Sequence, residues 1–204
     1  IQNARLFNET QDALARQTAS ADILRAISKS PTDVAPVVEV IISVARELLG
    51  CYRTSLFRRD GDLLRGGTVA TSGGVGKGST FQLPLDGTHN FPARAVLSGQ
   101  PLHLPDWGAI DLPPQEQEIR RVHGCNASLM VPLLRGEGQE PLGVLVFLRE
   151  TATAFSASDI ALAQSFEAAW QQYQAARQAV AALEGGILST ARTVVDIAEA
   201  AYRF

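Results

Sequence analysis

The sequence predicts an α+β fold in which an antiparallel sheet is bracketed by helices and long helices extend from both ends. Three observations predict it. The Asp60-Gly61 dipeptide separates two strand-like runs, residues 52–58 and 63–64, which is a hairpin signal. Two longer apolar runs, Ala127-Ser-Leu-Met-Val-Pro-Leu-Leu134 and Leu142-Gly-Val-Leu-Val-Phe-Leu148, flank a turn-rich connection and predict a second hairpin. Apolar residues at helical spacing lie before the first hairpin and after the second, so helices bracket the strand region.

The chain has 204 residues, 46% of them hydrophobic, enough for one full core with extensions. Charged residues make up 19%, and 18 Lys and Arg against 21 Asp and Glu leave a net charge of −3. That balance provides no broad cationic surface for nucleic acid. The longest apolar runs fall far short of the ~20 residues that span a bilayer, so no membrane segment is expected in this fragment. No basic leader precedes an apolar stretch and the first residue is Ile1, so the chain reads as a piece of a longer protein. Cys51 and Cys125 form neither a disulfide framework nor a metal quartet and fit a reducing cytoplasm.

The elements follow in order. Residues 3–28 are rich in Ala, Gln, Glu and Arg and lack Gly and Pro; Leu6, Phe7, Leu14, Ile23, Leu24 and Ile27 recur at helical intervals. The segment 1–30 is therefore expected to be an N-terminal linker helix that needs a partner to stay folded. Ser30-Pro-Thr-Asp33 supplies a cap, a first-turn proline and an N-terminal carboxylate. The helix behind it gathers Val34, Val37, Val38, Ile41, Ala45, Leu48 and Leu49 on one face and stops at Gly50. After the first hairpin, residues 66–80 are dense in Gly, Ser and Thr and read as a loop. A short helix is predicted over 90–98, ended by Gly99, then a strand over 102–104 and one or two helical turns over 115–122. Ser156 with Asp159 three residues on opens the last helix as a variant capping box.

That helix carries heptads. One series reads Phe166, Tyr173, Val180, Ile187, Val194, Ala201; the other reads Leu162, Ala169, Ala176, Leu183, Thr190, Ile197, Phe204. Leu162, Phe166, Tyr173, Val180, Leu183, Ile187, Val194 and Ile197 are accordingly expected to form a homodimer interface. Gly185 and Gly186 interrupt the series at a cost of about 2 kcal/mol and leave two alternatives, a continuous helix or a kink or stop. The expected organisation is a linker helix at 1–30, a core at 31–155 and a coiled-coil helix at 156–204.

Four strings give the chain a family resemblance. Asn90-Phe-Pro-Ala-Arg-Ala-Val-Leu-Ser-Gly-Gln-Pro-Leu-His-Leu-Pro-Asp106 is one; the hairpin Ala127 to Leu134 with Pro141-Leu-Gly-Val-Leu-Val-Phe147 is the second. Phe155-Ser-Ala-Ser-Asp-Ile-Ala-Leu-Ala-Gln-Ser-Phe166 and Asn3-Ala-Arg-Leu-Phe-Asn-Glu9 continuing to Ser30-Pro-Thr-Asp33 complete the set. Together they resemble a GAF domain of a bacterial multidomain signalling protein, of the sensor histidine kinase, cyclase or chemoreceptor type. The resemblance implies a central antiparallel sheet with the first, second and last helices on one face and a small-molecule pocket on the other. It also implies parallel dimers paired through terminal helices that relay binding to an output domain in the same polypeptide.

Each candidate chemistry has an ordinary competitor. Gly73-Gly-Val-Gly-Lys-Gly-Ser-Thr80 fails as a phosphate loop, because Gly78 follows Lys77 where Ser or Thr is required and no helix begins behind it. Cys125 near His123 suggests redox, metal or chromophore chemistry, but it lies too close to the strand for a bilin attachment cysteine, and burial near the pocket floor is the simpler reading. His89, His103 and His123 lack metal-ligand spacing, and no catalytic triad or carboxylate pair is evident. The nucleotide-contacting residue set of the cyclic-nucleotide-binding members cannot be laid on this chain. By the resemblance, Arg94, His103, Trp107, His123, Cys125 and Ser128 border the pocket, with Arg94 suited to an anion and Trp107 either covering a ring or simply filling the site. The expectation is a non-enzymatic sensor module, with the cofactor unknown; the alternative is a ligand-free dimerisation spacer.

Overall fold

The computed structural model describes Thr18 and residues 34–78, 81–134 and 140–201; on the last helix, side chains are described up to position 185 except at 176, 177, 180 and 184. The linker helix expected over 1–30 therefore lies, Thr18 aside, outside the described residues. So do the connection 135–139 and the side chains of Val180, Ile187, Val194 and Ile197.

Helix α1 (Val34–Leu48) turns Val37, Val38, Ile41, Ile42 and Ala45 inward, all 5% exposed or less. Strands β1 (Arg53–Asp60) and β2 (Leu63–Thr71) form the first hairpin, closed by the Asp60–Leu63 pair. Gly61 makes the turn at φ +58°, a conformation that glycine adopts without Cβ strain. β3 (Gly74–Lys77) and β4 (Gln82–Pro84) both pair with β2. Next come α2 (Phe91–Ser98), β5 (Leu102–Leu104), a 3-10 turn (Trp107–Ala109) and α3 (Pro114–His123). The hairpin of β6 (Ala127–Leu134) and β7 (Pro141–Arg149) leads to α4 (Ala157–Ala201). The sheet runs β3-β2-β1-β7-β6-β5 with β4 also on β2, and every pairing is antiparallel.

Strand alternation sends successive side chains to opposite faces. Leu129, Val131 and Leu133 of β6, Leu145 and Phe147 of β7 and Leu56 of β1 form one core with α1 and with Phe155, Ala163, Phe166, Trp170 and Tyr173. Met130, Val144, Val146 and Leu148 face the other way and pack with Phe91, Ala93, Val96 and Trp107. Both faces of β6 and β7 are covered, which is why these strands are continuous apolar runs rather than alternating ones.

The expected loop over 66–80 is instead mostly sheet, since β2 continues to Thr71 and returns as β3. Two of the glycines there, Gly67 and Gly78, serve close backbone approach. A Cβ on Gly67 would stand 3.1 Å from the Leu56 carbonyl oxygen, opposite the register shift between Ser55 and Phe57, and one on Gly78 would stand 2.3 Å from the Gly67 carbonyl oxygen. Helix α4 runs through Gly185 and Gly186 without a stop.

The capping box read at Ser156 and Asp159 is present, the cap read at residues 30–33 lies outside the described residues, and Asn90 adds a cap that the sequence reading did not single out. Asn90 Oδ1 accepts from the Ala93 N–H at 2.7 Å, and Ser156 and Asp159 exchange bonds at 3.1 and 3.0 Å. Arg149, at the end of β7, clamps the junction. Its guanidinium donates to the Leu49 carbonyl at 2.6 and 3.2 Å, to the Ala154 carbonyl at 3.0 Å and to Asp159 at 3.1 Å, and lies 3.9 Å from the Phe155 ring centre. No helix among the described residues is long and apolar enough to cross a membrane.

Candidate functional site

The sheet face opposite α1 and α4 bears a cavity of about 240 Å³. Its floor comes from Arg53, Ser55 and Phe57 of β1, Met130 of β6 and Val146 and Leu148 of β7. Phe81 and Leu83 bound one side, Pro92 and Trp107 another, and α3 covers it with Gln115, Glu116, Glu118, Ile119, Val122 and His123. Phe81 and Val122 reach solvent, exposed by 39% and 53%. A mostly apolar concavity with a few polar groups is the usual composition of a small-molecule site.

The polar groups differ in how far they are already committed. Arg53 donates Nε to the Ser55 hydroxyl at 3.2 Å. His123 Nδ1 lies 3.5 Å from the Tyr52 hydroxyl, with the two rings tilted at 6.1 Å. Glu118 is held outside by two bonds to Arg121, at 2.6 and 2.8 Å. Glu116 is 1% exposed; its Oε1 accepts the Phe91 N–H at 2.8 Å, whereas its Oε2 is buried without a partner among the described residues. Burial pushes the Glu116 carboxyl up to about 7, against the opposing pull of the Phe91 N–H, its own backbone N–H and the Arg94 charge.

Of the six residues expected at the pocket, the fold brings Trp107 and His123 to the cavity lining. Ser128 stands behind the indole, accepting from Trp107 Nε1 at 3.0 Å, and both residues are fully buried. Arg94 is exposed on α2, over the Phe91 ring at 4.9 Å and bonded to the Gly87 carbonyl at 2.6 Å. His103 lies instead at the start of the last helix, where its Nε2 accepts the Phe155 N–H at 3.0 Å. Cys125 is fully buried among apolar neighbours; burial pushes its thiol up to about 11, with Glu150 adding to the shift and Arg53 opposing it. Cys51 is likewise buried and raised to about 12. Neither thiol is poised as a thiolate, and no group of three or more metal-ligating side chains occurs among the described residues.

The expected dimer seam divides along α4. Phe166 and Tyr173 are 1% exposed and packed inside the chain's own core, and Leu162 is half-buried against it. Their burial within one chain leaves little surface for a second copy, and only further along does Leu183 stand 68% exposed.

Glu116 escaped the sequence reading because Gln115-Glu-Gln-Glu118 looks like a solvated face. The available signal was its spacing: Glu116, Ile119 and His123 recur at three and four residues and share the inward face of α3.

The family model described as GAF domain matches residues 33–168. Among solved structures, the chain is similar to the GAF domain of a phosphoenolpyruvate-protein phosphotransferase from Coxiella burnetii, with TM-score 0.68, 16% identity and coverage of 86% of this chain and 99% of that one. A methyl-accepting chemotaxis protein, residues 122 to 287, gives TM-score 0.62 and 17% identity over 78% of this chain and 98% of the other. The free methionine-R-sulfoxide reductase from Neisseria meningitidis gives 0.66 and 17% over 83% and 93%. At these identities the likeness is one of fold. Comparison with curated proteins gives no significant match.

Proposed function

The chain belongs to the GAF domain family, and from that premise we propose that it is the regulatory sensor module of a cytoplasmic signal-transduction protein. The module binds a small molecule in the cavity beneath α2 and α3. It relays occupancy through α4, paired with the helix of a second copy, to an output domain in the same polypeptide. GAF domains are commonly small-molecule sensors in signalling proteins, and the observation that carries the reading here is the cavity itself, mostly apolar in its lining and polar at a few defined points. The raised thiols of Cys51 and Cys125 support a regulatory role over a redox one.

For the relay, a ligand needs unequal affinity for two helix packings; a hundredfold difference provides about 2.7 kcal/mol of bias. Pairing of chains would use the part of α4 beyond the intramolecular contacts of Phe166 and Tyr173. The proposed organisation remains a linker at 1–30, a core at 31–155 and a signalling helix at 156–204.

Thermal-shift screening of the purified chain against nucleotides, haem, bilins, amino acids and aromatic acids tests the sensor reading. A saturable rise in melting temperature with one class supports it, and silence throughout favours a ligand-free dimerisation spacer. Light scattering tests the relay, since a monomer at high concentration with α4 intact would remove it.

A further inference from the structure

We infer that Glu116 is the group that reads the ligand, and that the cavity takes a small, mainly aromatic or apolar molecule presenting an N–H-bearing head such as an amidine, amine or amide. This rests on the reading of the cavity as a ligand site. Glu116 lines the cavity and is 1% exposed, yet Oε2 has no partner among the described residues, while Oε1 is occupied by the Phe91 N–H. Buried acceptors are ordinarily satisfied, and an unmet one is costly. The other carboxylate of the lining, Glu118, shows the contrast, because it is exposed and fully engaged by Arg121.

What would satisfy Oε2 is a donor brought into the cavity, whose lining reaches solvent at Phe81 and Val122. The surrounding Phe57, Met130 and Val146 offer the rest of that molecule contact and no hydrogen bonds. Above about pH 7, where this carboxyl is ionised, a carboxylate or phosphate head placed there would set two acceptors against each other. The chemistry therefore selects nitrogen donors on a flat or apolar body, and a cationic amidine above all, since charge-assisted bonds are the strong ones.

The test is an NMR titration of the wild-type chain with benzamidine, benzamide and benzoate, following cavity amides. It is run at about pH 8, where the carboxyl is ionised, and repeated on Glu116→Gln, on Glu116→Asp as a second probe of the same carboxyl, and on Glu47→Gln, an exposed carboxylate of α1 outside the cavity, as a control. Benzamidine is expected to bind about tenfold or more tightly than benzoate. That preference should vanish in Glu116→Gln, weaken in Glu116→Asp, whose shorter side chain withdraws the carboxyl, and persist in Glu47→Gln. If Glu116→Gln is unfolded by its amide spectrum, Glu116→Asp decides. Benzoate binding as well as benzamidine, or a preference indifferent to Glu116, overturns the inference while leaving a binding cavity. No cavity perturbation by any of the three also overturns it, and the broader screen then judges the cavity separately.

Discussion

Trp107 donates its indole N–H to the Ser128 hydroxyl across 3.0 Å, between two residues with no solvent exposure at all. The bond ties the loop after β5 to the start of β6 and turns the indole into a fixed wall of the cavity. Both residues were expected to touch a ligand, but Ser128 is engaged by Trp107 itself, so its hydroxyl shapes the site from behind.

Ser128→Ala leaves the indole N–H buried and unpaired and is expected to cost about 1–3 kcal/mol, read by urea denaturation. Trp107→Phe removes the donor as well as packing. Because the two share one bond, the double variant should cost less than the sum of the singles. Strict additivity would contradict the coupling.

The raised Glu116 carboxyl makes stability depend on pH. A carboxyl near 7 in the fold and near its ordinary 4.5 when unfolded binds more protons in the native state between those values, so stability falls as pH rises from about 4.5 to about 7. Glu116→Gln is expected to flatten that fall and to gain stability relative to wild type above pH 7, in denaturant titrations across the range. An unchanged slope would place the carboxyl in water.

His103 titrates in the opposite sense. Burial, with Arg149 beside it, holds its imidazole below the ordinary value of 6.5, so the neutral ring is preferred and its contribution is present above 6.5 and lost on acidification. Protonation occupies Nε2 and removes the acceptor of the Phe155 N–H. Hydrogen exchange at Phe155, corrected for intrinsic pH dependence, should lose protection on acidification below the ordinary imidazole value of 6.5, and it should lose it at all pH values in His103→Phe.

Arg149 joins the carbonyls that end α1 to the capping box of α4. Arg149→Met keeps the stem over Phe155 and loses every donor, and is expected to destabilise by about 2–4 kcal/mol. Local opening should appear first at residues 155–160, measured by hydrogen exchange. Arg149→Lys should recover only part, because an ammonium cannot serve these carbonyls as a planar fork.

Much of the fold was legible because its signals are local. Asp60-Gly61 sets its own turn, Asn90 caps the helix beside it, and Ser156 and Asp159 lie within one turn of each other. The misread stretch, residues 66–80, shows the limit: glycine marks a loop and a close backbone approach with the same letter, and only the bulge opposite Leu56 tells them apart. Periodicity likewise shows which face of α4 is apolar and not what covers it. Phe166 and Tyr173 would stand on the same series whether a partner helix or the chain's own sheet lay against them. The cavity's position followed from the resemblance. Its most distinctive group, Glu116, depends on α3 meeting the start of α2, a contact 25 residues apart in sequence that no local pattern encodes.

The central claim is that the cavity holds a small molecule. Native mass spectrometry of the chain after incubation with the low-mass fraction of a cell extract tests it most directly. A single mass increment per chain, released on denaturation and competed by the compound identified from it, is the predicted result. A spectrum showing only the bare chain, across extracts that saturate a known ligand-binding control, would contradict it.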